Sequence, residues 1–332
     1  MLYSCDSCGS SMVYDPDAKA LVCPRCGNRQ TKMPRGGEES GNTCPNCGAQ
    51  FEGTEKKLVY QCPYCGSWMT IDQNLKKPDA PKKITPFVFG KKEAREKILG
   101  AFDNIPFLPD SFLREPDGKD IEALYAPFWL YYAEAKGTYD YRGEKQSSHT
   151  RGNKTITEHD VYDIHRALEL KYDEIPVDAM DSLDDKTIDA AVPFDDDLEQ
   201  NMDIVYLAGT NAYLPDRDAA DETYQRRAGA WAKESMEDLE ADLVVGYESL
   251  KLKNAERKVE PDPARSTCAL APVYRYQYKG FGTHRIYMNG TTGRMSGDAP
   301  CDRGKVIIHY FAEAACVMIS AAAIVGTIGV LL

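Results

Sequence analysis

Eight cysteines in the first 65 residues stand in CxxC pairs and could together bind two metal ions. The pairs form two sets of four with the same internal spacing, and each member of the second set follows its counterpart by 39 residues. Four thiolates around one ion make a closed tetrahedral site, which zinc prefers and which leaves no position for a catalytic water. The pattern therefore predicts two zinc ribbons with two structural Zn²⁺ ions. The predicted ligands are Cys5, Cys8, Cys23 and Cys26 in the first ribbon and Cys44, Cys47, Cys62 and Cys65 in the second.

The residues around these cysteines indicate how each ribbon folds. Glycine follows the second cysteine of every pair, and it can adopt the left-handed conformation that a tight turn needs. Fourteen residues separate the two pairs of each set, which is enough for a short β-hairpin. An iron–sulfur cluster, a redox dithiol and a cross-braced pairing between the two sets remain open, although local pairing orders less of the chain.

The composition is that of a globular protein in a reducing compartment. The chain has 332 residues, of which 42% are hydrophobic and 28% charged, and this length allows one large domain or a few small ones. Because eight of the eleven cysteines cluster near the N-terminus, metal binding is favoured over a disulfide framework. The N-terminus has neither a basic start nor an apolar run, so we expect no signal peptide and a cytoplasmic body.

The net charge of −12 is distributed unevenly along the chain. Residues 1–70 carry seven basic and seven acidic side chains, residues 76–97 carry eight and three, and residues 101–300 carry 23 and 39. Because an acidic body and thiolate-bound zinc both repel phosphate, protein contact is the better prediction for the ribbons than nucleic acid. The alternative is a membrane-tethered nucleic-acid-binding regulator that uses the ribbons and a basic linker. Its phosphate-binding side chains would be Lys76, Lys77, Lys82 and Lys83.

An uncharged apolar segment, AACVMISAAAIVGTIGVLL, runs from Ala314 to Leu332. As a helix its 19 residues would span about 28 Å, which is close to the thickness of a bilayer's hydrocarbon core. Arg303 and Lys305 precede it, as expected for a cytoplasmic flank. We therefore expect one C-terminal transmembrane helix in the lipid bilayer of the cell membrane, with the ribbons and the body in the cytoplasm. A buried core helix is the alternative.

The middle of the chain contains a second, weaker repeat. LYAPFWLYYAEAKG (124–137) resembles ALAPVYRYQYKGFG (269–282), and each follows a predicted helix that itself follows an apolar strand candidate. The strand candidates are ITPFVF (84–89) and MDIVYLAG (202–209), and the helices cover 91–104 and 221–250. The first repeat continues into EHDVYDIHRALELKYDEI, which predicts a β-hairpin. The sequence thus predicts an α+β body, mainly antiparallel, with a β-α-β-β duplication.

The sequence contains none of the motifs of several common enzyme classes. No GxxxxGK[ST], GxSxG, HExxH or GxGxxG occurs, and we predict that the protein is not an enzyme. An enzyme with a site between the two repeats remains as an alternative. It would use the aromatic residues around Tyr125, Trp129 and Tyr274, which a hydrophobic core explains equally well.

The chain also resembles a known family over nearly its whole length. Paired CxxCG ribbons, the aromatic PFWLY strand and YMNGTTGRMSGDAP before an apolar C-terminal segment are similar to the bacterial membrane-anchored double-zinc-ribbon proteins. That family is also known under the descriptions transcription factor IIB-type zinc ribbon and primosomal-helicase-like. The resemblance implies a role in envelope stress, with flotillin-like (SPFH-domain) or phage-shock-A-like membrane proteins as partners, and it implies no assigned activity.

These expectations combine in one prediction of organisation and function. We expect a non-enzymatic, membrane-tethered zinc-ribbon adaptor or scaffold whose ribbons extend on a flexible linker to recruit partner proteins. Two ribbons in series would give a wider or bivalent contact. The predicted boundaries are ribbon 1 at 1–33, ribbon 2 at 40–70, a basic linker at 71–83, the α+β body at 84–304 and the membrane anchor at 306–332.

Overall fold

An α+β fold with one large sheet and few helices is seen in the computed structural model. The structure describes residues 3–30, 43–44, 46–50, 56–114, 121–183, 188, 198–240, 242–280 and 282–315. The strands are β1 (Val13–Asp15), β2 (Ala20–Val22), β3 (Arg29–Gln30), β4 (Lys57–Gln61), β5 (Trp68–Thr70), β6 (Lys83–Ile84), β7 (Ile121–Arg151), β8 (Lys154–Asp178), β9 (Gln200–Asn201), β10 (Asn211–Tyr213), β11 (Ser249–Gly280), β12 (Gly282–Asn289) and β13 (Met295–Gly297). The helices are α1 (Asp72–Leu75), α2 (Lys91–Phe102), α3 (Asp110–Arg114), α4 (Glu222–Glu240) and α5 (303–315), and a 3₁₀-helix covers Ile204–Leu207.

Three long antiparallel strands, β7, β8 and β11, form the centre of the fold. They have 31, 25 and 32 residues, and β7 lies between the other two. At about 3.3 Å per residue, β7 and β11 each extend roughly 100 Å. The sequence favours these strands because tyrosine, phenylalanine and tryptophan are common in them. The predicted hairpin is present as β7 and β8, and Gly152, with a φ of +65°, forms its turn.

The two repeats of the body pair directly with each other. Ala126 in β7 lies opposite Ala271 in β11, so the two Ala-Pro motifs meet in the middle of the sheet. Each repeat has the order short strand, helix, long strand, return strand: β6-α2-β7-β8, with α3 before β7, and β10-α4-β11-β12. The first strand of each repeat pairs in parallel with the long strand of the other, β6 with β11 and β10 with β7. The two halves are therefore interlocked.

Two elements of the second repeat differ from the sequence prediction. The strand predicted at 202–209 is instead the 3₁₀-helix, because the Asp203 carboxylate accepts a hydrogen bond from the Val205 N–H at 3.0 Å and caps it. The strand of this repeat, β10, follows it. The helix predicted at 221–250 ends at Glu240, and Gly246, with a φ of +84°, lies in the turn that leads into β11.

Helix α4 covers one face of the long strands. Its buried residues recur every four positions, which places them on one side of the helix: Tyr224, Ala228, Ala232 and Met236. The alanines pack in one cluster with Tyr131 and Ile175 of the sheet. Gly137 in β7 leaves room for the Tyr139 ring and for Met236, since a Cβ atom at position 137 would lie 2.7 Å from the ring and 2.9 Å from the terminal methyl of Met236.

The linker predicted at 71–83 is folded against the body. It contains α1, and the backbone N–H of Lys82 donates to the Cys268 carbonyl at 2.9 Å. Lys83 begins β6 and forms ion pairs with Glu174 and, at 2.7 Å, with Glu199. The expected flexible tether is therefore corrected: these backbone and side-chain contacts hold the segment on the sheet.

The transmembrane helix predicted for Ala314 to Leu332 is also corrected. Among the helices of the described ranges, none is long and apolar enough to cross a membrane. The described part of helix α5, residues 303–315, is about 20 Å long at 1.5 Å per residue, and it carries charged side chains from Arg303 to Glu313. The predicted cell-membrane localisation is contradicted with the span on which it rested. Residues 316–332 of the predicted span lie outside the described residues.

We expect Met236→Ala to lower the free energy of unfolding by about 2–5 kcal/mol, because it leaves a cavity beneath α4. Lys233→Ala, on the exposed side of the same helix, should change the free energy by less than about 0.5 kcal/mol. Urea denaturation of both variants, followed by near-ultraviolet circular dichroism, measures the difference. Equal midpoints for the two variants would show that α4 does not stabilise the sheet as described.

Candidate metal centres

The first set of cysteines converges to one point in the structure. All four Sγ atoms lie within 4.8 Å of one another. The Sγ atoms of Cys5 and Cys26 are 3.5 Å apart, and those of Cys8 and Cys23 are also 3.5 Å apart. Four sulfurs held tetrahedrally at about 2.3 Å from an ion would be separated by about 3.8 Å, so this set could hold a metal ion.

The second set has the same geometry. Its four Sγ atoms also lie within 4.8 Å of one another, with Cys44 and Cys65 at 3.6 Å and Cys47 and Cys62 at 3.7 Å. Each cluster of four sulfurs thus comes from one ribbon. The alternative in which the two sets exchange partners is not the arrangement in the structure.

One backbone turn is repeated at all four cysteine pairs. The glycine after the second cysteine has a φ between +71° and +74°, and its N–H donates to the carbonyl of the first cysteine at 2.8–2.9 Å. The glycines are Gly9, Gly27, Gly48 and Gly66. Because other residues are strained at such φ values, these glycines make the tight turn that brings the two sulfurs of a pair together.

Local hydrogen bonds favour a thiolate in each centre. Desolvation opposes ionisation of Cys5, but the backbone N–H groups of Ser7 and Cys8 lower the pKa of its thiol to about 6. At Cys65 the Ser67 hydroxyl, 3.4 Å from the sulfur, has the largest effect and lowers the pKa of that thiol to about 6. Backbone hydrogen bonds favour ionisation of Cys26 and Cys47, but within the same clusters the neighbouring sulfurs raise the pKa of both thiols to about 12, so the first thiolate forms at Cys5 and Cys65. The thiolate is the form that binds a metal, and a bound cation would favour ionisation of the remaining thiols.

The first ribbon is packed into the body. Strands β1, β2 and β3 form a small sheet of their own, but Met12 and Leu21 are buried in the same hydrophobic core as Phe87 of the body. The backbone N–H of Tyr14 donates to the Ala208 carbonyl at 2.8 Å. The ribbon is therefore continuous with the main core.

The second ribbon belongs to the main sheet itself. Strand β4 pairs antiparallel with β10, with Val59 opposite Ala212, and β5 extends the sheet beyond β4. The two ribbons also touch, since the Trp68 N–H donates to the Ser11 Oγ at 3.3 Å. A metal ion in this ribbon would therefore support the edge of the central sheet.

Within each set of four cysteines, some side chains are buried and others are exposed to solvent. The first cysteine of every pair is buried: Cys5, Cys23, Cys44 and Cys62. The second is exposed in three of the four pairs, at Cys26, Cys47 and Cys65. The turns at residues 23–26 and 62–65, here called the outer knuckles, expose Arg25 and Tyr64, and the Tyr64 side chain is 75% exposed. Residue 45, in another of the four turns, lies outside the described residues.

The aromatic residues considered for an enzyme site lie in different environments. Tyr125 and Tyr274 are buried, and their rings lie 5.0 and 4.8 Å from that of Phe87. Burial raises the pKa of both phenols. The indole N–H of Trp129 donates to the Arg217 carbonyl at 3.0 Å. Tyr125 and Tyr274 are thus core residues, as the simpler explanation predicted.

Trp129 lines a cavity of about 570 Å³ that the sequence did not indicate. Its walls come from the linker, β7, the segment before α4 and the irregular part of β11 between Asp262 and Thr267. Because these segments are far apart in the chain, no local pattern could have predicted their meeting. Lys82, considered above as a phosphate-binding residue, lies in the wall of this cavity.

Comparison with known proteins identifies a distant relative. No protein-family model matches the chain, and no solved structure matches it. A Bacillus subtilis protein described as "Uncharacterized protein YdjG" is 26% identical over 330 residues, which cover 93% of this chain and 92% of the relative. The similarity therefore extends over the ribbons and the body together, and the relative's description assigns no activity.

We expect the loss of one metal centre to destabilise the body as well as the ribbon. The paired substitution Cys44→Ser and Cys47→Ser should reduce the metal content from two ions to one per chain. Because β4 is part of the main sheet, it should also lower the midpoint of thermal unfolding of the whole body, and removal of both ions with a strong chelator should do so further.

Metal analysis and near-ultraviolet circular dichroism check this prediction. Cys301→Ser is the matched control, because Cys301 is exposed and belongs to neither set, and it should leave metal content and midpoint unchanged. An unchanged midpoint in the Cys44, Cys47 variant with only one ion bound would contradict the dependence of the sheet on the metal.

Proposed function

We propose that the protein is a non-enzymatic zinc-ribbon adaptor that recruits or assembles partner proteins through the outer knuckles of its two ribbons. The observation that carries the proposal is the arrangement of each metal centre. Its buried cysteines pack in the main core in the first ribbon and in the ribbon's own core in the second, and its exposed cysteines lie in the outer knuckle. Such a centre presents a rigid surface turn at little entropic cost, which favours binding.

Zinc is the metal that the donor set favours. Each centre offers four sulfur atoms and no oxygen or nitrogen, and soft thiolates in a tetrahedral arrangement suit zinc. The zinc ions would be structural, since four cysteines fill the coordination sphere. In this role Cys5, Cys8, Cys23 and Cys26 hold one ion, and Cys44, Cys47, Cys62 and Cys65 hold the other.

Protein is the partner class that the surface favours. Tyr64 is an exposed aromatic side chain on a rigid turn, and tyrosine is among the residues that most often dominate protein interfaces. Residues 101–300 have an excess of 16 acidic side chains, which opposes binding along a phosphate backbone. The salt bridges of Lys83 with Glu174 and Glu199 further weaken the basic linker as a nucleic-acid site.

The family resemblance suggests which proteins to test as partners. It points to flotillin-like (SPFH-domain) and phage-shock-A-like proteins, in a response to envelope stress. An adaptor with two knuckles on one folded body would hold such a partner by two contacts with a fixed separation, which increases the apparent affinity.

A photo-crosslinking side chain placed at Tyr64 should capture a protein partner in the cells that make this protein. The same side chain at Val245, which is 80% exposed in the turn before β11, is the matched control and should give no adduct of the same mass. Mass spectrometry identifies the adduct, and nuclease treatment should not remove it. Tyr64→Ala should reduce recovery of that protein about tenfold or more with two metal ions still bound.

Two outcomes would contradict this proposal. If nuclease removes the adduct at Tyr64, the nucleic-acid-binding alternative takes its place. If positions 64 and 245 give the same adducts, the outer knuckle is not a specific contact surface.

A further inference from the structure

The hairpin of β7 and β8 extends beyond the rest of the sheet. Strand β11 pairs with β7 only as far as Glu144, where Ser249 lies opposite. Every residue from 145 to 163 is exposed on both sides of the turn. A two-stranded hairpin of this kind has little stability of its own in water, so an additional strand would stabilise it.

The outer edge of β8 is open to such a strand. Within the described residues β8 pairs only with β7, so half of its backbone N–H and C=O groups point away from the sheet. Proline blocks pairing near the base of this edge, at Pro176. From Lys154 to Leu170 the strand contains neither proline nor glycine, and its backbone is extended. This segment, residues 154–170, is here called the free edge.

The other exposed edge of the long strands belongs to β11, and it carries residues that hinder pairing with another strand. The outer edge of β11 carries lysines at positions 251, 253 and 258 and a proline at 261. Lysine and proline on an edge strand prevent pairing with other chains. The free edge of β8 also carries charged side chains, so the difference between the two edges lies in the prolines at positions 261 and 263 of β11. The free edge of β8 lacks proline and is the edge that can accept a partner.

The charges of the free edge are complementary to themselves. When two copies pair antiparallel with Tyr162 on the two-fold axis, Glu158 of each copy lies opposite Arg166 of the other. Ile156 then lies opposite Leu168, and no two like charges of the carboxylate, lysine and arginine side chains meet along the 17 residues. A two-fold axis perpendicular to the sheet keeps each side chain on its own face, so the two sheets continue into one.

Neighbouring registers are less favourable. With the axis at Asp160 or Asp163, that aspartate would face its own copy, and with the axis at Arg166 two arginines would meet. With the axis at Ile164 no like charges meet, and the favourable pair of that register is Lys154 with Glu174. Glu174 already pairs with Lys83, however, and lies two residues before Pro176. Axes at Val161 and His165 also avoid like charges, but they place no carboxylate opposite a lysine or arginine within residues 154–170. The register centred on Tyr162 is therefore the best match.

We propose that two copies of this chain associate through the free edges of their β8 strands, antiparallel and with Tyr162 on the two-fold axis. The product is one continuous sheet through two protomers, with the ribbons of the two copies at its opposite ends. This association goes beyond the adaptor function and does not depend on it, since it uses residues of the hairpin and none of the ribbons.

Sedimentation velocity of the full chain, over a range of concentrations in a mild nonionic detergent, tests the proposal. We expect the wild-type chain to reach twice its monomer mass of 37.0 kDa. Glu158→Arg and Arg166→Glu each place like charges opposite one another at two positions, and each should raise the dissociation constant about tenfold or more. The double variant Glu158→Arg, Arg166→Glu restores opposite charges and should return the constant to within about threefold of the wild-type value.

Glu169→Arg is the matched control. It makes the same charge change on the same strand, but Glu169 lies opposite Thr155 in this register, so the dissociation constant should not change by more than about threefold. A monomer at all concentrations would overturn the proposal. A dimer would also overturn it if Glu158→Arg had no effect or if the double variant stayed as weak as the single variants. Metal content remains at two ions per chain in these variants if only the free edge is affected, which separates this test from that of the ribbons.

Discussion

The pairing of β7 with β11 is the interaction on which the rest of the structure depends. It places Ala126 opposite Ala271 and joins the two repeats at their most similar residues. Each repeat then adds its first strand to the long strand of the other, so neither half is complete alone. The helices follow from this pairing, because α4 covers a face that both long strands provide. Small alanine side chains at the crossing fit this arrangement, since they leave room for large neighbours such as Phe128 and Tyr287 in one buried cluster.

The metal centres are tied to the same framework. Strand β4 of the second ribbon lies beside β10, which lies beside β7, so this centre is two strands away from the central pair. The first ribbon reaches the core through its side chains, where Met12 and Leu21 pack in one cluster with Phe87. Small cysteine-bound hairpins usually depend on the metal for their folding energy. In this protein the ribbons and the body also support each other, because the first ribbon packs its apolar side chains in the core of the body and the second ribbon extends the sheet.

Two surfaces of this framework are suited to contacts with other molecules, and they lie on different elements. The outer knuckles are tight turns that a metal ion in each cluster would hold rigid, and they present Arg25 and Tyr64. The hairpin of β7 and β8 instead presents open backbone hydrogen-bonding groups and alternating charges. A rigid turn recognises a partner by its side chains, whereas an open edge recognises any strand that can complete the sheet. A scaffold with both surfaces would bind its partners through the outer knuckles. Self-association through the β8 edge would then bring four ribbons together in one dimer.

The sequence by itself determined the features that depend on local spacing. The pattern of residues shows the two sets of cysteines, the glycines of the four turns, the β7–β8 hairpin and the repeated order of strand and helix.

Only the tertiary structure decided which strands pair, because a strand's hydrogen-bonding partners can be far away in the chain. Pairing placed residues 71–83 on the sheet and brought β4 beside β10. Helix α4 ends at Glu240, before Val244, Val245 and Gly246, which are poor helix formers, and the chain turns at Gly246 to enter β11. The membrane span was predicted from hydropathy and length alone, and these properties describe a segment without its tertiary contacts. Residues 316–332 of that span lie outside the described residues. The part of helix α5 before them is held beside α3 by Lys305, which donates to the Leu108 carbonyl and to the Asp110 carboxylate, and no hydropathy pattern predicts these long-range contacts.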